Sequence, residues 1–399
     1  MRNSFESTRR LVLAGGSVVL PDRVVRDACV VVADGIIEGI IEGAEPSDAG
    51  QVIRLDGATL FPGFVDVHIH GAVGVDVMEA TAEDLHRMAS YLASQGTTAW
   101  LPTLVPGPDD DYAHVAAAVD RLMVEQDDLA PAARALGLHY EGPFVNREKC
   151  GALRSQYFRA YSGPTDIDSL APVKASGAAH MITLAPEVEG GIALVRELRR
   201  RGWVVSIGHT LASAELLDEA LEAGAQHITH MMDAMAPLHH REPGPVAWGL
   251  VNDDVTCDVI ADGVHIEPLV LRLILKCKTA LRLLLISDAI APTGMPERDY
   301  NVWGQVINVA GGRTSNAEGR IAGSVITMRD AALRLAALGA CETDVARMTS
   351  LNPARLLRLE DRGSIEEGKR ADLTALDAAG RVRLTLVGGR IAFGRDDER

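Results

Sequence analysis

The chain lacks the features that would assign it to a membrane, to nucleic acid or to an oxidising compartment. Its 399 residues contain no apolar run long enough to span a bilayer. The formal net charge of −16 at pH 7 argues against a nucleic-acid partner. The five cysteines show no paired spacing, and the apolar stretch near the N-terminus has no small-residue cleavage site. We therefore expect a cytoplasmic protein with reduced thiols.

Both ends of the chain carry short β-like runs. These runs are separated by glycine, aspartate and proline, which are typical turn residues. Short β-like runs of the same kind as in the first 62 residues recur after residue 354, with a hairpin-like Gly388-Gly389 between the last two of them. We predict one small β-sandwich domain built from residues 1–62 plus 355–399, with a larger domain, residues 63–354, inserted between them.

The inserted part alternates strand-like and helix-like segments. Eight apolar strand candidates lie at 63–70, 98–103, 135–141, 181–185, 204–209, 227–230, 256–260 and 282–288. Segments with helical spacing lie between them at 82–95, 112–124, 192–201, 213–223 and 268–278. Eight such units predict an α/β fold, a (β/α)₈ TIM-like barrel. A doubly wound open sheet is the competing architecture.

The first of these strands ends in two histidines spaced i, i+2. Because side chains alternate faces along a strand, His68 and His70 point the same way and can hold one metal ion. The alternative is that both are buried, hydrogen-bonded structural residues. Taken alone, the pair does not decide between the two interpretations.

Later strands also end in histidine or carboxylate. The candidates are Glu141, His209, His230 and Asp288, with His265 shortly after the seventh strand. The carboxyl ends of barrel strands face one axis, so these groups can converge on His68 and His70. Histidine and carboxylate ligands suit Zn²⁺ or Fe²⁺, and a bridging carboxylate suits two ions. Convergence from so many strands favours a closed barrel with a metal centre.

A set of motifs in order along almost the whole chain resembles the amidohydrolase superfamily and, within it, the N-acetylglucosamine-6-phosphate deacetylase family. The matching pieces are PGFVDVHIHG at 62–71, EGPF at 141–144, LAPE at 184–187, GHT at 208–210, TH at 229–230, REPG at 241–244, ADGVH at 261–265, SDA at 287–289, GS at 323–324, NPA at 352–354 and GSIEEGKRADL at 363–373.

The resemblance implies a function and a set of roles. It implies metal-dependent hydrolysis of the acetamide of an N-acetylated amino sugar, with N-acetylglucosamine 6-phosphate as the default substrate. The implied ligands of the principal ion are Glu141, His209 and His230. With His68 and His70 present the site is implied to hold one or two ions, the second bridged by Glu141. Asp288 is implied as a further metal ligand and as general base, then general acid.

The resemblance also implies the substrate contacts. His265 and Arg241 are implied to contact the sugar phosphate substrate, and either the metal or His265 polarises the acetyl carbonyl. The arginine is implied to come from the partner subunit of a homodimer. Ala234 and Ser324 fall at positions that the family places against substrate.

Two positions depart from the family pattern. Leu153 stands where the family has a histidine that helps to hold substrate, and Asp233 stands where the family has an asparagine near the phosphate. An aspartate there would repel a phosphate dianion, and a lost charge-assisted hydrogen bond is worth about 1.5–3 kcal/mol. Either other basic residues compensate, or the substrate is a different, unphosphorylated N-acyl amine, or Asp233 pairs with a local arginine and does not meet substrate. The residues named as compensating candidates are Arg241, His239, His240, Arg147 and Arg154.

The alternative to an enzyme is a catalytically inactive relative that serves as a scaffold. The complete set of candidate ligands and the presence of Asp288 argue against it, because a scaffold has no need to retain them.

Overall fold

The computed structural model describes residues 10–43 and 50–395. Parts of the predicted sandwich domain, at 1–9, 44–49 and 396–399, lie outside the described residues. The strands are β1 (Arg10–Val19), β2 (Val24–Ala33), β3 (Ile36–Glu42), β4 (Gln51–Arg54), β5 (Thr59–Pro62), β6 (Phe64–Ile69), β7 (Gly71–Ala72), β8 (Val75–Asp76), β9 (Thr97–Leu104), β10 (Arg134–Ala135), β11 (Gly137–Glu141), β12 (Ala179–Leu184), β13 (Val204–Ile207), β14 (His227–Ile228), β15 (Thr256–Ile260), β16 (Leu283–Ile286), β17 (Asp299–Val302), β18 (Gln305–Ala310), β19 (Arg313–Ser315), β20 (Leu373–Leu376), β21 (Val382–Val387) and β22 (Arg390–Gly394).

The α-helices of the described chain alternate with the middle strands. They are α1 (Ala82–Ser94), α2 (Asp109–Glu125), α3 (Gly191–Arg200), α4 (Ala214–Ala223), α5 (Gly244–Val251), α6 (Pro268–Arg282), α7 (Met328–Ala337), α8 (Glu342–Ala346) and α9 (Asn352–Leu356). None of these helices combines the length and the apolar character needed to cross a membrane.

Strands from both ends of the chain form one mixed sheet, in the order β22-β21-β20-β5-β1-β2-β3, with β4 paired to β1. Strand β1 is irregular between Leu13 and Gly16, so its first half pairs with β4 and its second half with β5. Gly15 adopts φ 81°, a left-handed conformation that glycine tolerates best. The bent sheet encloses an apolar core to which both termini contribute, including Val30, Leu60 and Leu386. The predicted sandwich of both termini is confirmed.

The middle strands β6, β9 and β11 to β16 run parallel and form the barrel. The barrel closes between its first and last strands, where the Asp288 amide donates to the His68 carbonyl at 3.0 Å. The (β/α)₈ prediction is therefore confirmed over the open sheet. The division of the chain at residues 62 and 354 stays a prediction; β5 ends at Pro62 and β6 begins at Phe64.

Helix α1 shows how the sequence specifies these elements. Thr81 and Asp84 form a capping box at its start, which satisfies amide groups that a helix end leaves without partners. Leu85, Met88 and Leu92 recur at helical spacing and are buried against the barrel core. The observed helix ends one residue before the predicted end at residue 95.

The segment from 299 to 323 was not predicted to have secondary structure. It contains the small antiparallel sheet β17-β18-β19. Its strands are short, and Gly311 and Gly312, both at positive φ, make the turn between two of them. A segment this short and turn-rich does not continue the strand–helix alternation, so sequence periodicity does not reveal it.

Asn352 links α9 to the start of β16. Its buried amide nitrogen donates to the carbonyls of Ala280 and Leu283, at 2.8 and 2.7 Å. We predict that Asn352→Ala lowers the free energy of unfolding, by about 1–3 kcal/mol for each carbonyl left without a donor. The readout is the midpoint of urea denaturation, with Arg355→Ala as a control on the exposed side of the same helix. Equal midpoints for the two variants would contradict this role of Asn352.

Candidate active site

The six predicted metal-cluster side chains meet at the carboxyl end of the barrel, and all six are buried. Each lies within two residues of the end of its strand, and they are His68, His70, Glu141, His209, His230 and Asp288. The barrel thus brings together residues that are up to 220 positions apart in the sequence, from His68 to Asp288.

One group of ligand atoms surrounds the Oε1 atom of Glu141. That oxygen lies 2.8 Å from His209 Nε2 and 3.0 Å from His230 Nε2, and the two Nε2 atoms are 3.1 Å apart. Ligands placed 2.0–2.1 Å from a tetrahedral ion lie about 3.3 Å from one another. The spacing of these three atoms therefore fits a divalent metal ion.

A second group adjoins the same carboxylate, where His68 Nε2 lies 3.7 Å from Glu141 Oε1. His70 Nε2 is 3.3 Å from Glu141 Oε2 and 3.1 Å from Asp288 Oδ1. His68 Nε2 is 3.1 Å from His70 Nε2 and 3.4 Å from Asp288 Oδ1. The Glu141 carboxylate therefore lies between two histidine pairs, which is the arrangement of a bridging ligand.

Backbone carbonyls orient two of the histidine rings. His70 Nδ1 lies 3.2 Å from the Thr103 carbonyl, and His209 Nδ1 lies 2.7 Å from the Lys149 carbonyl. Because a carbonyl only accepts, each Nδ1 carries the proton and each Nε2 presents its lone pair to the cluster. The rings are thus held in the tautomer that binds metal.

The backbone is strained where three of these residues leave their strands. His209, His230 and Asp288 adopt φ of 49°, 33° and 48°, a left-handed conformation that costs side-chain-bearing residues free energy. Local bonds hold it: Asp258 accepts the His230 amide, and the Ser324 amide donates to the Asp288 carbonyl at 2.7 Å. Strain of this kind concentrates at functional sites.

Asp66 fixes the two strands that carry the second group. Its carboxylate accepts the Ser287 hydroxyl at 2.5 Å and the amides of His68 and Ser287, both at 3.3 Å. Burial raises the pKa of Asp66 to about 6, and these donors oppose that shift. Asp66 lies within a motif noted in the sequence, but nothing in the pattern assigned it this positioning role.

Burial would raise the pKa of the Glu141 carboxyl, but His68, His209 and His230 around it hold that pKa well below its usual range. The carboxyl is therefore ionised at neutral pH. An ionised carboxylate is the form that a metal ion binds.

A cavity of about 350 Å³ opens over the cluster. Of the predicted substrate contacts, those that line it are Leu153, Asp233, Ala234 and His265. The other two lie elsewhere in the described structure. Arg241 is exposed on a loop with its guanidinium 2.8 Å from His240 Nε2, and Ser324 is buried behind Asp288 with its hydroxyl bonded to the Ser287 carbonyl.

His265 is held by an acid behind it. Its Nδ1 lies 2.6 Å from Asp262 Oδ2, which leaves Nε2 as the other polar atom of a ring that lines the cavity. Burial would lower the pKa of His265, but the bond to Asp262 and the nearby charge of Asp233 raise it. A histidine held in this way can donate a proton or a hydrogen bond into the cavity.

Asp233 presents an acidic group to the same cavity. Its Oδ2 atom is buried and has no hydrogen-bond partner, and burial raises its pKa to about 6. Across the described residues, no lysine or arginine forms an ion pair with it. This leaves Asp233 available to whatever occupies the cavity.

Residues of the 299–323 segment and of neighbouring loops complete the lining of the cavity. The sequence did not predict them as site residues. The Trp303 ring meets the His70 ring edge-on at 5.2 Å between centroids. Arg320 lies at the cavity wall, with its Nη1 3.3 Å from the Gly151 carbonyl. Further lining residues not predicted are Gly151, Ala152, Ile260, Ile321 and Gly323.

The comparisons with known proteins agree with this architecture and with the sequence motifs. The model of the amidohydrolase family matches residues 59–392, and the chain belongs to that family. Its members are metal-dependent hydrolases, in keeping with the histidine and carboxylate groups described above.

Individual similar proteins indicate the branch of the amidohydrolase family. The chain is 33% identical over 388 residues to the N-acetylglucosamine-6-phosphate deacetylase of Bacillus subtilis, covering 96% of this chain and 97% of that protein. It is 34% identical over 360 residues to the N-acetylgalactosamine-6-phosphate deacetylase of Escherichia coli, covering 90% and 93%.

Solved structures that resemble this chain are also N-acetylglucosamine-6-phosphate deacetylases. The N-acetylglucosamine-6-phosphate deacetylase of Pasteurella multocida superposes with a TM-score of 0.88 at 28% identity, over 96% of this chain and 99% of that one. A variant of the N-acetyl-D-glucosamine-6-phosphate deacetylase of Mycobacterium smegmatis, in complex with N-acetyl-D-glucosamine-6-phosphate, superposes with a TM-score of 0.88 at 30% identity. The match covers 96% of this chain and 99% of that one. Within the amidohydrolases, the chain belongs to the N-acetylglucosamine-6-phosphate deacetylase family, as its motifs predicted.

The geometry predicts that added metal stabilises the folded protein. A ligand that binds only the folded state stabilises it by about 4 kcal/mol at a thousand times its Kd. We expect Zn²⁺ to raise the Tm of chelator-treated protein and His209→Ala to reduce that rise strongly. His114→Ala, on the exposed side of α2, is the control and keeps the full rise. A zinc effect that His209→Ala leaves intact would contradict the assignment.

Proposed function

We propose that this protein hydrolyses the acetamide of an N-acetylated amino sugar 6-phosphate, and that N-acetylglucosamine 6-phosphate yields glucosamine 6-phosphate and acetate. The observation that carries the proposal is the Glu141 carboxylate between two histidine pairs, with Asp288 beside them at the floor of a cavity. The activities named for similar proteins over nearly the whole chain support the same reaction.

Two epimeric amino sugars are candidate substrates. One similar protein is named for N-acetylgalactosamine 6-phosphate, at an identity close to that of the glucosamine enzymes. We take the glucosamine substrate as the first candidate and the galactosamine epimer as the second. An unphosphorylated N-acyl amine is the alternative that the unpartnered oxygen of Asp233 favours.

The residues that would hold metal are those of the two groups. Glu141, His209 and His230 would bind the principal ion, and His68 and His70 together with Glu141 would bind a second. A bound divalent ion would lower the pKa of a water molecule and so supply hydroxide at neutral pH. Zinc and iron both suit these ligands.

The protein's own residues complete the reaction. Asp288 Oδ1 lies beside the His68 and His70 ligand atoms, where a carboxylate can accept the proton of the attacking water. The same carboxylic acid then gives that proton to the departing amine, which avoids expulsion of an amine anion. His265, oriented by Asp262, would donate a hydrogen bond to the acetyl oxygen as charge develops on it.

We also propose that the protein forms a homodimer. Arg241 lies on an exposed loop beside the exposed Leu238 and does not line the cavity of its own chain. That position suits a contact with a second copy, whose cavity the arginine would enter.

Asp288→Asn tests the proton-transfer role. The amide cannot accept or return the proton, so we expect turnover to fall by about 10²–10⁴-fold. Bound metal, measured by atomic absorption, is expected to remain, because Glu141 and the histidines are unchanged. An Asp288→Asn variant with wild-type turnover would refute the assignment.

His70→Asn tests the two-ion arrangement. It removes one ligand from the second group and none from the group of Glu141, His209 and His230, so bound metal should fall from two ions per chain to one. His265→Asn is the control, because His265 belongs to neither group, and it should keep both ions. Loss of both ions in His70→Asn, or a single ion in the wild type, would exclude two separable sites.

A further inference from the structure

Trp303 forms part of a partition between two cavities. The cavity over the metal cluster, of about 350 Å³, is the candidate active site. A second cavity, of about 300 Å³, adjoins it, and its lining includes Gln156, Gln305 and Glu318. Five residues line both cavities and make up the partition: Gly151, Ala152, Leu153, Trp303 and Arg320. The indole of Trp303 is the largest side chain among them.

The backbone that carries this indole is strained. Val302 pairs with Gln305 across the β17-β18 hairpin, so Trp303 and Gly304 form a two-residue turn. Their φ angles are 53° and 74°, and a turn with both central residues at positive φ favours asparagine or aspartate followed by glycine. A bulky side chain at the first position costs free energy, and such strain concentrates at functional sites. The turn therefore indicates a role for the indole beyond folding.

The Trp303 side chain is packed against the metal cluster. Trp303 is only 9% exposed, and its ring meets the His70 ring edge-on, with 5.2 Å between the centroids. Burial raises the pKa of Asp76 to about 6, and the neighbouring Trp303 indole is among the groups that oppose this rise. The polar atom of the indole thus has Asp76 as its neighbour, and the rest of the ring is carbon.

Hydrogen bonds tie the hairpin to the rest of the partition. Gln305 Nε2 donates to the Ala152 carbonyl at 3.5 Å, and the Asn316 side chain donates to Gln305 Oε1 at 3.2 Å. The indole is therefore held in place from two directions, by the His70 ring on one side and by the 150–153 loop through Gln305 on the other.

The cavity has a polar side away from this indole. Asp233 lies on the loop after β14, the sixth barrel strand, and His265 follows β15, the seventh. His70, which Trp303 contacts, follows β6, the first barrel strand. His70 and His230 contact different oxygens of Glu141, so the centre of the cluster lies between the two sides.

The two sides match the two halves of an N-acyl amino sugar. An amide carbon bound over the cluster carries its nitrogen in one direction and its acyl chain in another. The sugar is polar and suits the side of Asp233 and His265, whose side chains can hydrogen-bond hydroxyl groups. The acyl chain is apolar and suits the carbon atoms of the Trp303 ring.

We propose that Trp303 closes the acyl side of the active site and so restricts the substrate's N-acyl group to acetyl. The inference rests on the proposed function and adds to it a residue that determines acyl specificity. The sugar and its phosphate would extend toward the loop after β14, and the methyl group would contact the indole. A longer acyl chain would need the space that the indole fills.

The test compares hydrolysis of N-acetyl-, N-propanoyl- and N-butanoylglucosamine 6-phosphate by zinc-loaded protein, measured as release of glucosamine 6-phosphate. Pockets distinguish substrates that differ by one methylene by about 10- to 200-fold. We expect wild-type kcat/KM to fall about tenfold or more with each added methylene. In Trp303→Gly the butanoyl-to-acetyl ratio of kcat/KM should rise about tenfold or more, because the chain can then enter the second cavity.

The variants are chosen to keep the hairpin folded. Glycine adopts positive φ without strain, so Trp303→Gly suits the turn. Trp303→Phe keeps an aromatic ring in the partition and should raise the ratio less than Trp303→Gly does. Val306→Ala, at an exposed position of the same hairpin, is the matched control and should keep the wild-type ratio.

Three results would overturn the inference. Equal kcat/KM for the acetyl and butanoyl sugars in wild type would mean that nothing restricts the acyl group. An unchanged ratio in Trp303→Gly, with activity lost equally on every sugar, would mean that Trp303 only supports the hairpin. An unchanged ratio with activity retained would place the acyl group away from Trp303.

A binding measurement separates this inference from the proposed function. If wild-type protein releases glucosamine 6-phosphate from none of the three sugars, the proposed function fails. Calorimetric titration with the N-acetyl and N-butanoyl sugars then decides the inference without turnover. An acetyl preference of about tenfold or more in wild type that is lost in Trp303→Gly supports it. The same preference in both proteins, or binding of neither sugar, overturns it.

Discussion

The carboxylate of Glu141 is the group on which the site depends. Its two oxygens lie 2.8 to 3.3 Å from ligand atoms of His209, His230 and His70, and no other described side chain contacts both histidine pairs in this way. A buried carboxylate is costly unless it is paired, and the surrounding imidazoles offset that cost. The same arrangement that stabilises the charge also places the donors of a metal ion at the spacing the ion requires.

The barrel supplies this arrangement because its parallel strands end at one rim. Residues from β6, β11, β13, β14 and β16 therefore meet although they are far apart in the sequence. The rim is also where the backbone is strained, at His209, His230 and Asp288. Asp66 and Asp258 lie beneath it as buried acceptors, so the strain is held by bonds that belong to the barrel itself.

The terminal sandwich supports the barrel, and none of the candidate site residues belongs to it. Its last N-terminal strand, β5, is followed after one residue by β6, which carries the His68 and His70 pair. Gly63, between them, has no room for a side chain, because a Cβ there would lie 2.2 Å from Thr98 Oγ1. The entry of the chain into the barrel is thereby fixed close to the first pair of ligands.

The sequence was sufficient to predict the barrel and the convergence of the candidate ligands because both depend on local regularity. Apolar runs alternate with helical spacing, and a histidine or carboxylate follows most of these runs, so the convergence at one rim follows from the fold. The lining contributed by Trp303 and Arg320 does not follow from such regularity, because their segment is short, rich in turns and placed by hydrogen bonds such as Asn316 with Gln305. Asp66 was equally hidden, since its role appears only when Ser287 is brought beside it.

The reaction proposed for this site is the hydrolysis of the acetamide of a phosphorylated amino sugar with the help of bound metal. The most direct measurement is the stoichiometry and rate of acetate and glucosamine 6-phosphate release from N-acetylglucosamine 6-phosphate, before and after metal is removed and restored. We expect the two products in equal amounts, loss of the reaction on chelation and recovery with zinc or iron. Equal rates with and without metal, or no release of acetate from the fully loaded protein, would contradict the proposal.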